Sequence, residues 1–309
     1  MTATAAALLV LAALLAWPAP AAFARATWTR RDPVVALLCW QALGLAGGLS
    51  LIGAPLVYGL GPWGSSLPAA ASAFVAGSAP SRVTVAHWAA LGLAALIAGR
   101  LVTVLVESGV RVARMQARHR ELLRVVTRER TVGGLSRQIN IVDVADMVAF
   151  CLPGGPPMIV LSAGVVAELD DAELAAVVAH ERAHLAERHH LFLLAFVAWQ
   201  RALPMVPATR RALTTVHDLI EMRADDRAAT IAGRVVLAQA IVRIGTAVAV
   251  PSGALAIHGG VTATRVARLV DPPRPLPRAA KAAALASALA LLLVPTLLLL
   301  TGLFSAAGP

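Results

Sequence analysis

The chain of 309 residues is 58% hydrophobic and only 14% charged, where a soluble domain carries about 25% charged residues. Its net charge of +10 rests on 26 arginines and one lysine, but no nucleic-acid motif with interleaved aromatics accompanies that charge. Two cysteines, Cys39 and Cys151, are too few for a disulfide framework, and neither belongs to a CxxC metal motif.

The excess apolar content is gathered into four blocks, and a bilayer core of about 30 Å needs about 20 residues of helix. Residues 4–23 are almost wholly apolar. Ala22-Phe23-Ala24 has the look of a signal-peptide cleavage site, but Met1 to Val10 carries no basic residue, so a retained span is expected. Residues 34–60 run without a charge. Residues 85–106 are apolar apart from His87 near one end and Arg100, expected to snorkel toward the other. Residues 282–304 form a Leu/Ala-rich block with Pro295 inside it.

Arginine sets the expected orientation. Arg25, Arg30 and Arg31 follow the first block, and only Arg82 lies in 61–84. Seven arginines from Arg111 to Arg130 follow the third block, while Arg274, Arg278 and Lys281 precede the last. One topology fits: both termini outside, and residues 107–281 in the cytoplasm. The expected organisation is therefore 1–106 with three transmembrane helices, 107–281 as a cytoplasmic domain, and 282–309 with the last transmembrane helix.

Within 107–281 the pattern is α+β. Residues 108–130 read as a basic helix continuing the third span, and its arginine run as a solvated or phospholipid-facing surface. Residues 138–151 read as a weak strand and 158–162 as a better one, separated by Pro153-Gly154-Gly155-Pro156-Pro157. Either could align an extended peptide by strand addition. Asp170 and Glu173 have capping-box spacing, and the helix they open carries Leu174, Val177 and Val178. Residues 191–199 are apolar but too short to span alone; they either prolong that helix along the membrane surface or enter the bilayer in part.

That helix delivers His180-Glu181-Arg182-Ala183-His184. Positions i and i+4 lie about 40° apart around a helix and about 6 Å along it, so His180 and His184 can grip one Zn²⁺ from a single face. Glu181 is placed to take a proton from a metal-bound water. Glu221 would complete a His/His/Glu set, and Asp225, one turn on, could hold a histidine ligand from behind. Asp226 competes for that role, but i+4 spacing favours Asp225. His217 shares a helix face with Glu221 and is a candidate oxyanion stabiliser. His189 and His190 read as interfacial polar residues rather than as a second metal cluster.

The run Met158-Ile-Val-Leu-Ser-Ala-Gly-Val-Val, then Leu174-Ala-Ala-Val-Val-Ala-His-Glu-Arg-Ala-His-Leu, then Glu221-Met-Arg-Ala-Asp-Asp resembles the gluzincin membrane proteases over residues 130–270. The best resemblance is to the peptidase M56 family of antibiotic-sensing receptors. The M48 family, which includes HtpX and the CAAX prenyl protease, shares the layout. The resemblance implies one zinc per chain on His180, His184 and Glu221, Glu181 as general base, and Asp225 behind a ligand. The M56 receptors carry a penicillin-binding domain after their last span, which this chain, ending at Pro309, is expected to lack.

The expected protein is a multi-pass α-helical membrane protein with a cytoplasmic α+β, gluzincin-type zinc metalloprotease domain. Its partners would be the bilayer and a protein or peptide substrate, with a BlaI/MecI-like transcriptional repressor, or the protease itself, as the cleaved chain. Membrane-protein quality control of the HtpX kind is the alternative, and a non-enzymatic membrane scaffold, disfavoured by the intact Glu181, a third.

Overall fold

The computed structural model describes residues 1–130, 139–247 and 255–301. Two compact units emerge, one of Met1–Glu107, Ala195–Val216 and Leu276–Pro309, the other of Ser108–Leu194 and His217–Pro275.

In the first unit, α1 (Thr2–Ala16) and α2 (Pro18–Arg25) meet at Trp17, where Pro18 starts a new helix. Next come α3 (Pro33–Leu60), α4 (Leu67–Val75) and the start of α5 (Val85–Val126). The last helix, which we number α12, spans Arg278–Thr301. Thr2–Arg25, Pro33–Trp63, Val85–Val126 and Arg278–Leu300 are each long and apolar enough to cross a membrane. The end of the last expected block, 302–304, and the carboxyl terminus lie outside the described residues.

The central helix of this unit is α3. Its buried Ala46, Gly48, Ser50, Gly53 and Ala54 form a small-residue surface of the kind that lets helices approach closely in lipid. A Cβ on Gly53 would sit 2.8 Å from Leu299 Cδ2, so the Leu299 side chain of α12 packs closely on α3 there. Val35 and Cys39 pack near Ala284 and Ala288, while Ala54 and Val57 pack near Leu298, so α3 and α12 run parallel. Lys281 Nζ reaches Asp32 Oδ2 at 2.5 Å, fastening the starts of these two helices together. Exposed leucines and valines along α1, α5 and α12 form the apolar face that a bilayer covers.

Residues 191–199 neither prolong the motif helix nor stand alone. They lie in α8 (His189–Ala202), a separate helix, and from Ala195 onward the chain groups with the apolar helices. Trp199 lies against Gly44 and Gly48 of α3. Arg100 Nη2 donates to the Arg201 carbonyl at 3.3 Å, satisfying one of the orphan carbonyls at the end of α8.

The second unit holds a four-stranded sheet: β1 (Thr127–Arg130), β2 (Ile139–Val142), β3 (Ala149–Leu152) and β4 (Met158–Ser162). The spatial order is β1-β2-β4-β3, with β2 and β4 parallel and both outer pairs antiparallel. Two expectations need correction. The basic helix stops at Val126 rather than at 130, because Thr127–Arg130 pairs with β2 and the β-branched Val125-Val126-Thr127 run disfavours further helix. The single strand expected over 138–151 is two strands, not adjacent to one another, with residues 143–148 turning between them; Gln138 lies outside the described residues.

After β4 come α6 (Ala163–Glu168) and α7 (Asp171–Ala186). The capping box is present: Asp170 Oδ1 accepts from Glu173 N at 2.8 Å, and Glu173 Oε2 accepts from Asp170 N at 3.1 Å. One face of α7 buries Leu174, Val177 and Val178 against Ile139, Ile159 and Leu161 of the sheet. Its other face puts Ala176 and Ala179 against Ala228, Leu237 and Leu269, which belong to α9 (Pro207–Ala232), α10 (Arg234–Ala247) and α11 (Leu255–Val270). Held between a sheet and three helices, α7 has little freedom to move what it carries.

Candidate metal centre

His180 and His184 stand one turn apart on α7, and α9 brings Glu221 to them. The two Nε2 atoms are 3.1 Å apart. Glu221 places Oε2 3.5 Å from His180 Nε2 and Oε1 3.4 Å from His184 Nε2. Donors bound tetrahedrally to zinc at about 2.0–2.1 Å stand roughly 3.3 Å from one another. The two imidazole nitrogens and the two Glu221 oxygens approach that spacing, and one donor atom from each residue lies within 4.8 Å of the others, so the residues fit a zinc ion. Two neutral imidazoles and one carboxylate leave a fourth position open.

Each histidine is held from behind. His180 Nδ1 faces Asp225 Oδ1 at 3.0 Å. Arg265, on α11, clamps that carboxylate with Nε to Oδ2 and Nη2 to Oδ1, both at 2.7 Å, and also reaches Glu221 Oε2 with Nη1 at 2.9 Å. On the other side His184 Nδ1 lies 2.9 Å from His189 Nδ1, and His189 Nε2 lies 3.3 Å from Glu187 Oε2. Arg223 then grips Glu187 through Nε and Nη2 at 2.8–3.1 Å. Each imidazole thus ends in a carboxylate clamped by an arginine, an arrangement that fixes ring orientation and tautomer.

Burial pushes His180 down, but the hydrogen bonds and charges of Asp225 and Glu221 outweigh it and raise the imidazole to about 9 in the metal-free protein. Burial lowers His184 to about 4, so it is neutral and ready to donate its lone pair. Burial would raise Glu221, but His180, Arg265 and His184 hold its carboxyl well below the usual carboxylate range. Burial raises Glu181, partly offset by the charge of His180 and a hydrogen bond from Cys151. That upward shift moves a carboxyl toward the range in which it both accepts and returns a proton near neutral pH.

Glu181, the three candidate ligands and all four residues of β3 line one cleft of about 420 Å³. The Cys151 thiol hydrogen-bonds the Glu181 carboxylate, and burial followed by that negative charge pushes the thiol strongly up, leaving it protonated. Of the two strands considered for aligning a substrate, β4 is buried along its whole length between β2 and β3 and cannot accept another strand. β3 is an edge strand among the described residues and forms the wall of the cleft.

Residues 113–250 match the model of peptidase family M48. The match supports a metallopeptidase of that superfamily, and with four apolar helices a membrane-associated one. It gives no support to the narrower M56 assignment. No curated protein and no solved structure matches the chain.

His180, Glu181, His184 and Glu221 all line this cleft, and Asp225 is buried behind His180. His217 does not: it is exposed and lines none of the cleft, and the cation beside Glu221 is Arg265. Asp226 faces away, paired with Arg268 at 2.6 Å. His189 is buried behind His184 rather than placed at an interface. Arg265 gave no signal in the sequence, lying 40 residues beyond the Asp225 it clamps, on a different helix.

Proposed function

We propose that the protein is a zinc-dependent endopeptidase of the membrane, cutting an extended peptide laid along β3. The observation that carries this reading is the convergence of His180, His184 and Glu221, with imidazole and carboxylate contacts of 3.1–3.5 Å, and Glu181 in the same cleft. A zinc ion on His180, His184 and Glu221 supplies a bound water of lowered pKa and polarises the scissile carbonyl. The free edge of β3 offers backbone donors and acceptors that hold the peptide straight. Glu181 takes the proton of the attacking water and passes it to the departing amine nitrogen. Cys151, bonded to Glu181, keeps that carboxylate turned into the cleft. Asp225 and His189 fix the two imidazoles, while Arg265 holds Glu221 ionised and in place.

Glu181→Gln tests the reading. It spares every ligand, so the variant should keep one zinc per chain by elemental analysis yet lose at least about 10²-fold in peptide hydrolysis. Substantial residual cleavage would overturn the assignment of the base. His180→Ala, His184→Ala and Glu221→Ala should instead lose the metal.

The protease unit is proposed to face the cytoplasm. In support, helix ends that the arginine distribution assigns to one side meet in the structure, as Asp32 does Lys281 at one end and Tyr58 does His87 at the other. Cleavage of a DNA-binding repressor rests on the M56 resemblance alone. Clearance of damaged membrane proteins goes with the M48 match and is the role favoured here. Quantitative proteomics of cells carrying the native protein against Glu181→Gln separates the two: accumulation of membrane proteins supports clearance, and accumulation of a repressor alone refutes it.

A further inference from the structure

A second cleft, of about 700 Å³, adjoins the metal cleft. The two share Gln116, Pro153, Leu185 and His190 as common walls. The second cleft begins where β3 ends, at Pro153-Gly154, so a peptide lying along β3 and continuing straight enters it. Arg182, from the metal-binding motif itself, and Arg188 line it together with His190, and no carboxylate is among its described lining residues.

Arg223, Arg243, Arg265 and Arg268 each pair with a carboxylate, on Glu187, Glu173, Asp225 and Asp226 respectively. Arg188 is exposed and has no carboxylate within ion-pair reach among the described residues, and it shares the cleft with His190, which is lowered by burial and then by the charge of Arg188. Arg188 is also the only described non-glycine residue with positive φ, at 50°. It sits at the break between α7 and α8, with its amide on the Leu185 carbonyl at 3.2 Å and its carbonyl accepting from Leu191 N at 2.9 Å. A side chain with a Cβ adopts that conformation at a cost, and outliers of this kind gather at ligand clamps.

We infer that this cleft is a subsite for a carboxylate of the bound peptide, held by the guanidinium group of Arg188. A guanidinium presents paired N–H donors that match a carboxylate in bidentate fashion. The inference rests on the endopeptidase reading and adds to it a selectivity. The carboxylate comes from an Asp or Glu side chain near the scissile bond, or from the carboxyl terminus of the substrate.

The test uses the full-length, zinc-loaded protein in lipid nanodiscs and a neutral parent peptide. One peptide series walks a Glu through four positions on each side of the scissile bond. A second ends one to four residues beyond it, with a free or an amidated carboxyl terminus. The readout is kcat/KM relative to the parent, together with peptide binding to zinc-loaded Glu181→Gln by fluorescence polarisation, which needs no turnover. A single position should be favoured at least tenfold in one series, identifying the source of the carboxylate. Arg188→Gln should bring that ratio close to one, and Arg188→Glu should turn the preference toward Lys. Ratios cancel any loss of folded protein. No acidic preference in either series, by binding or by cleavage, overturns the subsite. So does a preference that survives Arg188→Gln while binding to phosphatidylglycerol vesicles weakens, since the cleft would then face lipid headgroups. Absence of cleavage with the binding preference intact would instead fell the endopeptidase reading and leave the subsite standing.

Discussion

His189 Nδ1 stands 2.9 Å from His184 Nδ1, so the second candidate ligand is oriented by another histidine where the first is oriented by a carboxylate. With His184 offering Nε2 to a metal, its Nδ1–H donates to His189 Nδ1, and His189 in turn donates from Nε2 to Glu187. Only one tautomer of each ring satisfies this chain. His189→Ala should weaken zinc affinity by roughly 10–100-fold, measured by competition with a chromogenic chelator. His189→Gln, which keeps a polar group there, should recover part of it. Equal affinity in wild type and His189→Ala would remove His189 from the site.

Zinc binding should strengthen with pH. His180 is raised to about 9 by Asp225 and Glu221 against the opposing effect of burial, so the metal-free protein holds a proton there at neutral pH. A metal must displace it. Apparent affinity should rise about tenfold per pH unit between pH 7 and 8.5 and level off near 9, with about one proton released in calorimetry across buffers of different ionisation enthalpy. The metal-free fold behaves oppositely. A raised pKa gives stability that is fully present below the unfolded value near 6.5 and lost as pH rises through about 9. An affinity flat over this range would show that His180 is not protonated.

Arg265 offsets two buried carboxylates, Asp225 and Glu221. Arg265→Met should cost about 3–5 kcal/mol by leaving them uncompensated, seen as a lower melting temperature of the metal-free protein. Added zinc should restore part of the loss, since it neutralises Glu221 and binds only the folded chain. A melting temperature unchanged by Arg265→Met would mean the ion pairs contribute nothing.

Gly164 is packed so that a Cβ would collide with the Ala145 carbonyl, while Gly164 N bonds the Val144 carbonyl at 3.1 Å. Gly164→Ala should destabilise by roughly 1–3 kcal/mol. Gly155→Ala, where an added Cβ meets nothing within 4 Å, is the control and should melt close to wild type.

A membrane-impermeant thiol reagent applied to whole cells should label a cysteine introduced at Ser65 and miss one at Arg210. Labelling at Arg210 would reverse the proposed sidedness.

The motif helix was legible because its determinants are local: a cap at Asp170, an answering Glu173, an apolar stripe, and two histidines at i and i+4. Glu221 and Asp225 were within reach for the same reason, being one turn apart on one helix. The arginine clamps were not, because Arg265 meets Asp225 only once α11 folds back, and in the sequence Arg265 is one of 26 arginines. His189 was visible but ambiguous, since a histidine after an amphipathic helix is as readily interfacial as it is structural. Strand order lay beyond local pattern altogether. β2 and β3 follow one another in sequence, yet β4 separates them, because its wholly buried, mostly apolar run must be covered on both edges and both faces.

Lys281, the only lysine in the sequence, is engaged by Asp32. The protein therefore carries a single side-chain amine, and it marks the foot of the last helix. A lysine-specific endoprotease has one place to cut, and an acylating reagent one side chain to modify. Both reactions should be slow while α12 stays docked and quicken when it swings free, so a mass shift at this one position would report whether detergent extraction has kept the helices together.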